Sequence, residues 1–185
     1  GVASDWVWIK NRGASGRHML YDSTRGVGKY LHSDTNAAED TSGTSLSAFN
    51  SNGFQLSDDG TYLNAGSNTY VAYNWRSNGG TTSSGSGDLT STHQVDPSGG
   101  FSIVKAVGDG GSGDKTVSHG LSAAPTAILA KNLDTTYNWD TFWAEGLTAS
   151  TYGIRLNTSD NEFSGRWGTV NSSIFTCKDN YTWAG

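Results

Sequence analysis

The stretch that decides the fold is VASDWVWIKN at residues 2–11, because a related stretch, AAPTAILAKN, returns at residues 123–132. Lys10-Asn11 falls on Lys131-Asn132 at an offset of 121 residues. Two further pairs coincide at the same offset, His18 with Trp139 and Tyr21 with Phe142. Each copy reads as a strand that ends in Lys-Asn, a polar loop and then an aromatic strand. Self-similarity at a fixed spacing predicts an internal duplication.

The two copies are not equally complete. Phe101–Pro125, with two further strand patterns, precedes the second Lys-Asn, whereas nine residues precede the first. We therefore expect the first copy to lack its front strands, as in the last part of a longer modular polypeptide. The sheet edge left open must be paired by another chain, a covering loop or upstream sequence. Later in each copy, Phe54 and Tyr70–Trp75 are loosely echoed by Phe175 and Tyr181–Trp183.

Short alternating segments bounded by Gly, Asn, Asp or Ser dominate the chain, and helical periodicity is almost absent. Examples are Trp6–Ile9, Tyr70–Trp75, Phe101–Val104 and Thr126–Leu129. Strands of this kind, rich in β-branched and aromatic residues and separated by Gly-rich turns, predict an all-β protein built from antiparallel sandwiches.

Domain boundaries follow from the repeat and from one polar stretch. Residues 77–100 are rich in Gly, Ser and Thr and hold hardly an apolar side chain. Such a segment buries too little surface to offset its ordering entropy, which predicts a linker or a long surface loop. We therefore expect part of a first unit at 1–76 and a second, related unit at 101–185.

Charge and composition exclude several classes of protein. The net charge is −5, and the 12 Lys and Arg residues are scattered singly, which argues against nucleic-acid binding. The longest apolar runs, such as Ala127–Ala130, are far shorter than a membrane span. The lone Cys177 excludes an internal disulfide.

Aromatic residues are the candidate ligand-binding groups, because sugar rings stack on indole and phenol faces. Tyr137, Trp139 and Trp167 stand among Asn, Asp and Arg166, so we expect exposed rings with polar neighbours there. Strand aromatics such as Trp8, Tyr73 and Trp75 alternate with small or polar residues, which predicts that they face a core.

No catalytic or metal-binding pattern is present, so we predict no catalytic residues, no metal site and no enzyme. The four His residues are never at metal-ligand spacing, and the three Glu residues all lie in polar surroundings. Two acidic loops, 109–114 and 157–162, present oxygen ligands that Ca²⁺ accepts, but neither completes an EF-hand loop. A turn in which Asp binds its own backbone is the favoured interpretation of both loops.

Three segments of the first copy, 8–22, 29–33 and 68–75, resemble a tandem domain of marine bacteriophage tail-fibre and virion structural proteins. Residues 101–125 are similar to the opening strands of that domain. The resemblance implies a lectin-like or jelly-roll β-sandwich at a virion surface and transfers no catalytic residue.

The expected function is therefore that of a virion appendage in a tail or capsid fibre. We expect a homo-oligomer, preferably a trimer, in contact with other virion proteins or host-surface glycans. Two alternatives stay open, a carbohydrate-binding module of a secreted enzyme and, more weakly, a polysaccharide depolymerase. Self-assembly into an oligomer would favour the fibre protein, and a monomeric state would favour the carbohydrate-binding module. Turnover of polysaccharide would favour the depolymerase.

Overall fold

Alternating side chains organise the protein into short antiparallel strands. The structure is a computed structural model that describes residues 3–57 and 62–178, and no helix occurs within these ranges. The first half contains seven strands: β1 (Trp6–Asn11), β2 (His18–Asp22), β3 (Lys29–His32), β4 (Asp40–Thr41), β5 (Leu46–Asn50), β6 (Gly53–Leu56) and β7 (Tyr70–Trp75).

The rest of the described chain contributes nine strands: β8 (Ser83–Gly85), β9 (Thr90–Val95), β10 (Ser102–Val107), β11 (Lys115–Ser118), β12 (Ala127–Ala130), β13 (Asp140–Trp143), β14 (Ile154–Arg155), β15 (Trp167–Val170) and β16 (Ile174–Cys177). All pairings between strands are antiparallel: β4-β3-β2-β1-β7, β5-β6, β10-β9-β8, β11-β16-β15 and β12-β13-β14. The prediction of an all-β, sandwich-like protein is confirmed.

The first core lies between the inner face of the β4-β3-β2-β1-β7 sheet and the β5-β6 hairpin. Side chains point to opposite faces along a strand, so Val7 and Ile9 of β1 face inward together. They pack with Met19 and Tyr21 of β2 and with Leu46 of β5. The result is the two-layer arrangement of a sandwich.

The second core is enclosed by the three remaining sheets. Its buried members are apolar residues contributed by β11, β12, β13, β15 and β16, together with Leu89 just ahead of β9: Leu89, Val117, Ala130, Phe142, Trp167, Phe175 and Cys177. The large aromatic rings meet edge to face, with the Trp167 ring centroid 6.0 Å from those of both Phe142 and Phe175.

The segment predicted as a linker, 77–100, instead forms β8 and β9. Thr90–Val95 pairs with β10 along six residues, and Leu89 is buried in the second core. Gln94 is also fully buried, because its amide donates to the hydroxyls of Ser23 (2.9 Å) and Thr24 (2.6 Å). Polar residues can build buried strands when their side chains find such partners, which composition alone does not reveal.

The strands before and after the two Lys-Asn dipeptides have the same register in both halves of the chain. Ile9 pairs with Met19 between β1 and β2, and Ala130 pairs with Asp140 between β12 and β13, at the offset of 121 residues. The strand orders β3-β2-β1 and β14-β13-β12 are also the same. The suggested counterpart of β7 at Tyr181–Trp183 lies outside the described residues.

The Lys-Asn turn is built identically in both copies. Asn11 Oδ1 accepts hydrogen bonds from two backbone N–H groups at 2.8 and 3.1 Å, and Asn132 Oδ1 does the same at 2.9 and 3.0 Å. The ammonium groups of Lys10 and Lys131 donate to the carbonyl of the following Asn at 2.7 and 2.6 Å. These two dipeptides therefore occupy equivalent places.

Candidate functional site

The outer face of β1 carries tryptophans, because the residues between them already fill the core. Val7 and Ile9 point inward, so Trp6 and Trp8 point to the opposite side of the sheet. In the antiparallel register Trp6 lies opposite Trp75 of β7, and Trp8 lies opposite Tyr73. Four large rings are thereby placed on one face of two neighbouring strands.

These rings form a continuous surface, which we call the aromatic face and define as Trp6, Trp8, Tyr73, Trp75 and Phe101. The Trp6 and Trp75 ring centroids are 4.5 Å apart, and those of Trp8 and Tyr73 are 6.3 Å apart. Phe101 stacks on Trp75 with an interplanar angle of 28° and a centroid distance of 6.3 Å. Phe101 immediately precedes β10, so the aromatic face extends to the second half of the chain.

Solvent reaches the aromatic face mainly along β7, an edge strand of its sheet. Tyr73 is 53% exposed and Trp75 is 39% exposed, whereas Trp6, Trp8 and Phe101 are half-buried. Exposed apolar side chains are common singly, but two exposed rings side by side on a sheet form a patch, and such a patch is a candidate binding surface. The prediction that Trp8, Tyr73 and Trp75 face a core is therefore wrong for Tyr73 and Trp75.

Polar groups border the aromatic face beside Trp8. The Trp8 indole N–H donates to Nδ1 of His18 at 3.0 Å, and the His18 backbone N–H donates to Asp34 at 3.2 Å. Arg17 reaches the same carboxylate at 3.4 Å. Burial lowers the pKa of His18, because it disfavours the charged imidazolium; Asp34 opposes this shift and Lys10 adds to it. The neutral ring thus keeps Nδ1 as an acceptor for Trp8.

The sequence-based site residues are not brought together. Trp139 is only 4% exposed: it packs against Leu20 and Leu31 of the first half and donates its indole N–H to the carbonyl of His32 at 2.8 Å. Trp167 is 1% exposed and donates to the carbonyl of Thr141 at 3.1 Å. Neither ring has a face open to a ligand, so the expectation of exposed rings is wrong for both.

Tyr137 and Arg166, the other two predicted site residues, do not lie on a surface of neighbouring exposed rings. Tyr137 is 42% exposed, as predicted, but no ring contact of Tyr137 occurs in the described part of the chain. Nε of Arg166 lies 3.4 Å from Asp140, and its guanidinium stands over the Phe163 ring at 5.1 Å. Arg166 therefore makes structural contacts within the second half of the chain.

The comparisons with known proteins give one positive result. A family model described as "Domain of unknown function (DUF7483)" matches residues 1–182. The chain belongs to the DUF7483 family. The match spans both copies of the repeat, so the tandem is included in what the family model describes. No curated protein and no solved structure matches the chain.

Aspartates in the two loops predicted to suit Ca²⁺ form salt bridges with Lys and Arg side chains of this DUF7483 member. In the first loop predicted to suit Ca²⁺, Asp109 pairs with Lys115 at 2.7 Å and Asp114 with Lys178 at 2.6 Å. In the second, Asp160 pairs with Arg155 at 2.9 Å. Over residues 3–57 and 62–178, no group of three His, Cys, Asp or Glu residues is placed to hold a metal ion.

A cavity of the DUF7483 chain lies outside the aromatic face. Its volume is about 310 Å³, and it is lined by Thr126, Ala127, Trp143, Ala144 and Glu145. Among the described residues, no helix is long and apolar enough to cross a membrane.

Proposed function

We propose that the chain is a non-catalytic, glycan-binding structural domain of a virion appendage, with the aromatic face as its sugar platform. The observation that carries the glycan part is the exposure of Tyr73 and Trp75, side by side on a two-strand aromatic surface. The resemblance of residues 8–75 to tail-fibre and virion structural proteins supports the virion part.

The physical basis is complementarity between a sugar ring and an aromatic ring. The C–H face of a pyranose is apolar and covers an indole or phenol ring, while its hydroxyls need polar partners. Tyr73 and Trp75 have ring centroids 6.5 Å apart, and their backbone is fixed by pairing with β1. A platform on a sheet loses little conformational entropy when a ligand binds.

The engagement of carboxylates supports a non-catalytic role. Glu39 pairs with the buried Arg25 at 3.1 Å, and both carboxylate oxygens of Glu162 accept from Thr148. A glycosidase needs two carboxyl groups facing one substrate. Neither glutamate borders the aromatic face. A virion-surface location and assembly as a homo-oligomer, preferably a trimer, complete the proposal.

The test is binding of the purified protein to immobilised bacterial lipopolysaccharides and capsular polysaccharides, with cellulose and xylan on the same array. We expect binding to at least one bacterial polysaccharide, and Trp75→Ala should weaken it by at least about tenfold, since aromatic anchors carry most of the affinity at such sites. The fold should survive, because the Trp75 ring is partly exposed.

Trp143→Ala is the matched control, because Trp143 is also 39% exposed but belongs to β13. It should leave glycan binding unchanged. Loss of binding in Trp143→Ala instead of Trp75→Ala would move the site to the other half, and no binding of the unaltered protein to any polysaccharide would end the glycan proposal. Binding by a monomer to cellulose or xylan alone would favour a module of a secreted enzyme.

A further inference from the structure

The outer edge of β6 differs from the edge of its counterpart, β16. Phe49 pairs with Phe54 between β5 and β6, and Val170 pairs with Phe175 between β15 and β16, at the offset of 121 residues. Both hairpins also shift register just before this pair, between Leu46 and Ala48 in the first and between Trp167 and Val170 in the second. The two hairpins are therefore equivalent. However, β16 has a second neighbour, β11, whereas in the described part of the chain β6 pairs with β5 alone.

The residues of β16, which has the second neighbour, are more deeply buried than the equivalent residues of β6. In β16, Phe175, Thr176 and Cys177 are all at most 9% exposed. Of the equivalent β6 residues, Phe54 and Leu56 are only half-buried and Gln55 is exposed. An edge strand that carries apolar residues and offers unpaired backbone groups is a template for another strand.

The second unit shows what such a strand must contain. Val117 of β11 lies opposite Phe175 and is fully buried in the second core. Its neighbours Thr116 and Ser118 lie opposite Thr176 and Ile174. At the offset of 121 residues, a strand with this pattern would place a β-branched apolar residue opposite Phe54 and a hydroxyl residue opposite Gln55.

We propose that the outer edge of β6 is a strand-acceptor site, filled by an antiparallel strand with the chemistry of Lys115–Ser118. The occupant that fits is a strand joined ahead of β1, because β11 lies ahead of β12 and ends nine positions before Ala127. Addition of a strand to a sheet edge gains affinity from main-chain hydrogen bonds and specificity from alternate side chains. The site is independent of the aromatic face and of glycan binding.

The experiment adds the β11 pattern ahead of β1. A copy of residues 101–121 is placed directly ahead of Gly1, which corresponds to Ser122 at the offset of 121 residues. Amide hydrogen exchange of β6 is compared between the original and the extended chain, with β16 as an internal reference for a covered strand. We expect exchange at Phe54–Leu56 to slow by at least about tenfold and the thermal midpoint to rise.

The matched control carries the same extension with Val117→Asp in the added copy, which would bury a charge opposite Phe54 and should remove the protection. Equal protection by both extensions, or by neither, overturns the proposal. Protection of β6 in the original chain also overturns it: concentration-dependent protection would assign the edge to a second copy, and concentration-independent protection would show that the edge is already covered.

Discussion

The first unit presents Trp6 and Trp8 on the outer face of β1, where the second unit presents Ala127 and Leu129 on β12. Inside, the two units keep the same strand registers and the same Lys-Asn turn, although the side chains that fill the cores differ. A sheet needs its inner face and its turns to fold, whereas the outer face is constrained much less. The comparison shows that the two copies keep a common backbone register while the side chains on both faces of the sheet differ.

The cores themselves differ in the size of equivalent side chains. Leu46 of β5 corresponds to Trp167 of β15, and both are 1% exposed. Tyr21 of β2 corresponds to Phe142 of β13. The second core is thus built around interlocking aromatic rings, while the first mixes aromatic and aliphatic side chains. Equivalent backbone positions accept different volumes when the surrounding residues change together.

The largest effect is expected when the core at this equivalent position is truncated. Trp167→Ala should lower the free energy of unfolding by about 3–5 kcal/mol, and Leu46→Ala by about 2–5 kcal/mol, because each leaves a cavity in a closed core. Urea unfolding followed by circular dichroism measures both. Trp75→Ala, on the aromatic face, is the control and should cost much less. A loss below about 1 kcal/mol for Trp167→Ala would show that this ring does not support the second core.

An intermediate effect is expected at the turns that the two units share. Asn11→Ala and Asn132→Ala should each cost about 2 kcal/mol, because each removes a buried side-chain amide whose Oδ1 accepts from two backbone N–H groups of its turn. Chemical unfolding of the two variants should give losses equal within about 1 kcal/mol.

Asn171 provides the matched control for the turns. Its Oδ1 also accepts from two N–H groups, at 2.8 and 3.0 Å, but the residue is exposed. Water can replace the lost acceptor there, so Asn171→Ala should cost less than about 1 kcal/mol. A strong loss in only one of Asn11→Ala and Asn132→Ala would contradict the equivalence of the two turns.

The smallest expected effect is a pH dependence of stability that arises from Lys131 and not from its counterpart Lys10. Lys131 is 7% exposed, and burial lowers its pKa to about 8. The unfolded chain, with the ordinary lysine pKa of about 10.4, binds this proton more tightly, so stability should rise as the pH increases from about 8. Thermal melts between about pH 7.5 and pH 9.5 should show a gain of about 1 kcal/mol. The gain should vanish in Lys131→Met and persist in Lys10→Met; its persistence in both would contradict this assignment.

Sequence reasoning recovered the backbone better than the surface. The Lys-Asn turns and the registers around them were predictable, because they depend on local hydrogen bonds and on the repeat. Trp139 was misplaced, because its polar neighbours in sequence say nothing about Leu20 and Leu31, which cover it from the other unit. Val7 and Ile9 were the available signal for the aromatic face, since a strand with aliphatic residues on one face leaves its tryptophans on the other.

The buried polar strand β9 was equally hidden from composition. Gln94 is buried because Ser23 and Thr24, some 70 residues away in sequence, satisfy its amide. Such long-range partners are set by the topology as a whole. At β6 the sequence signal was the unequal length of chain ahead of the two Lys-Asn turns, which predicted an unpaired sheet edge. Among the described residues β6 pairs with β5 alone, and an occupant of its outer edge stays a prediction.

The contacts of Gln94 and Trp139 also have a mechanical consequence. Gln94 joins β9 to the loop after β2, while the Trp139 indole is bonded to the end of β3, so the two halves are fastened at separate points. A force applied at the aromatic face would act on both sets of hydrogen bonds at once. The segment between Trp75 and Phe101 would not extend first, because it contains β8 and β9. The tandem should therefore transmit tension as one stiff body, with a single rupture event and little extension before it.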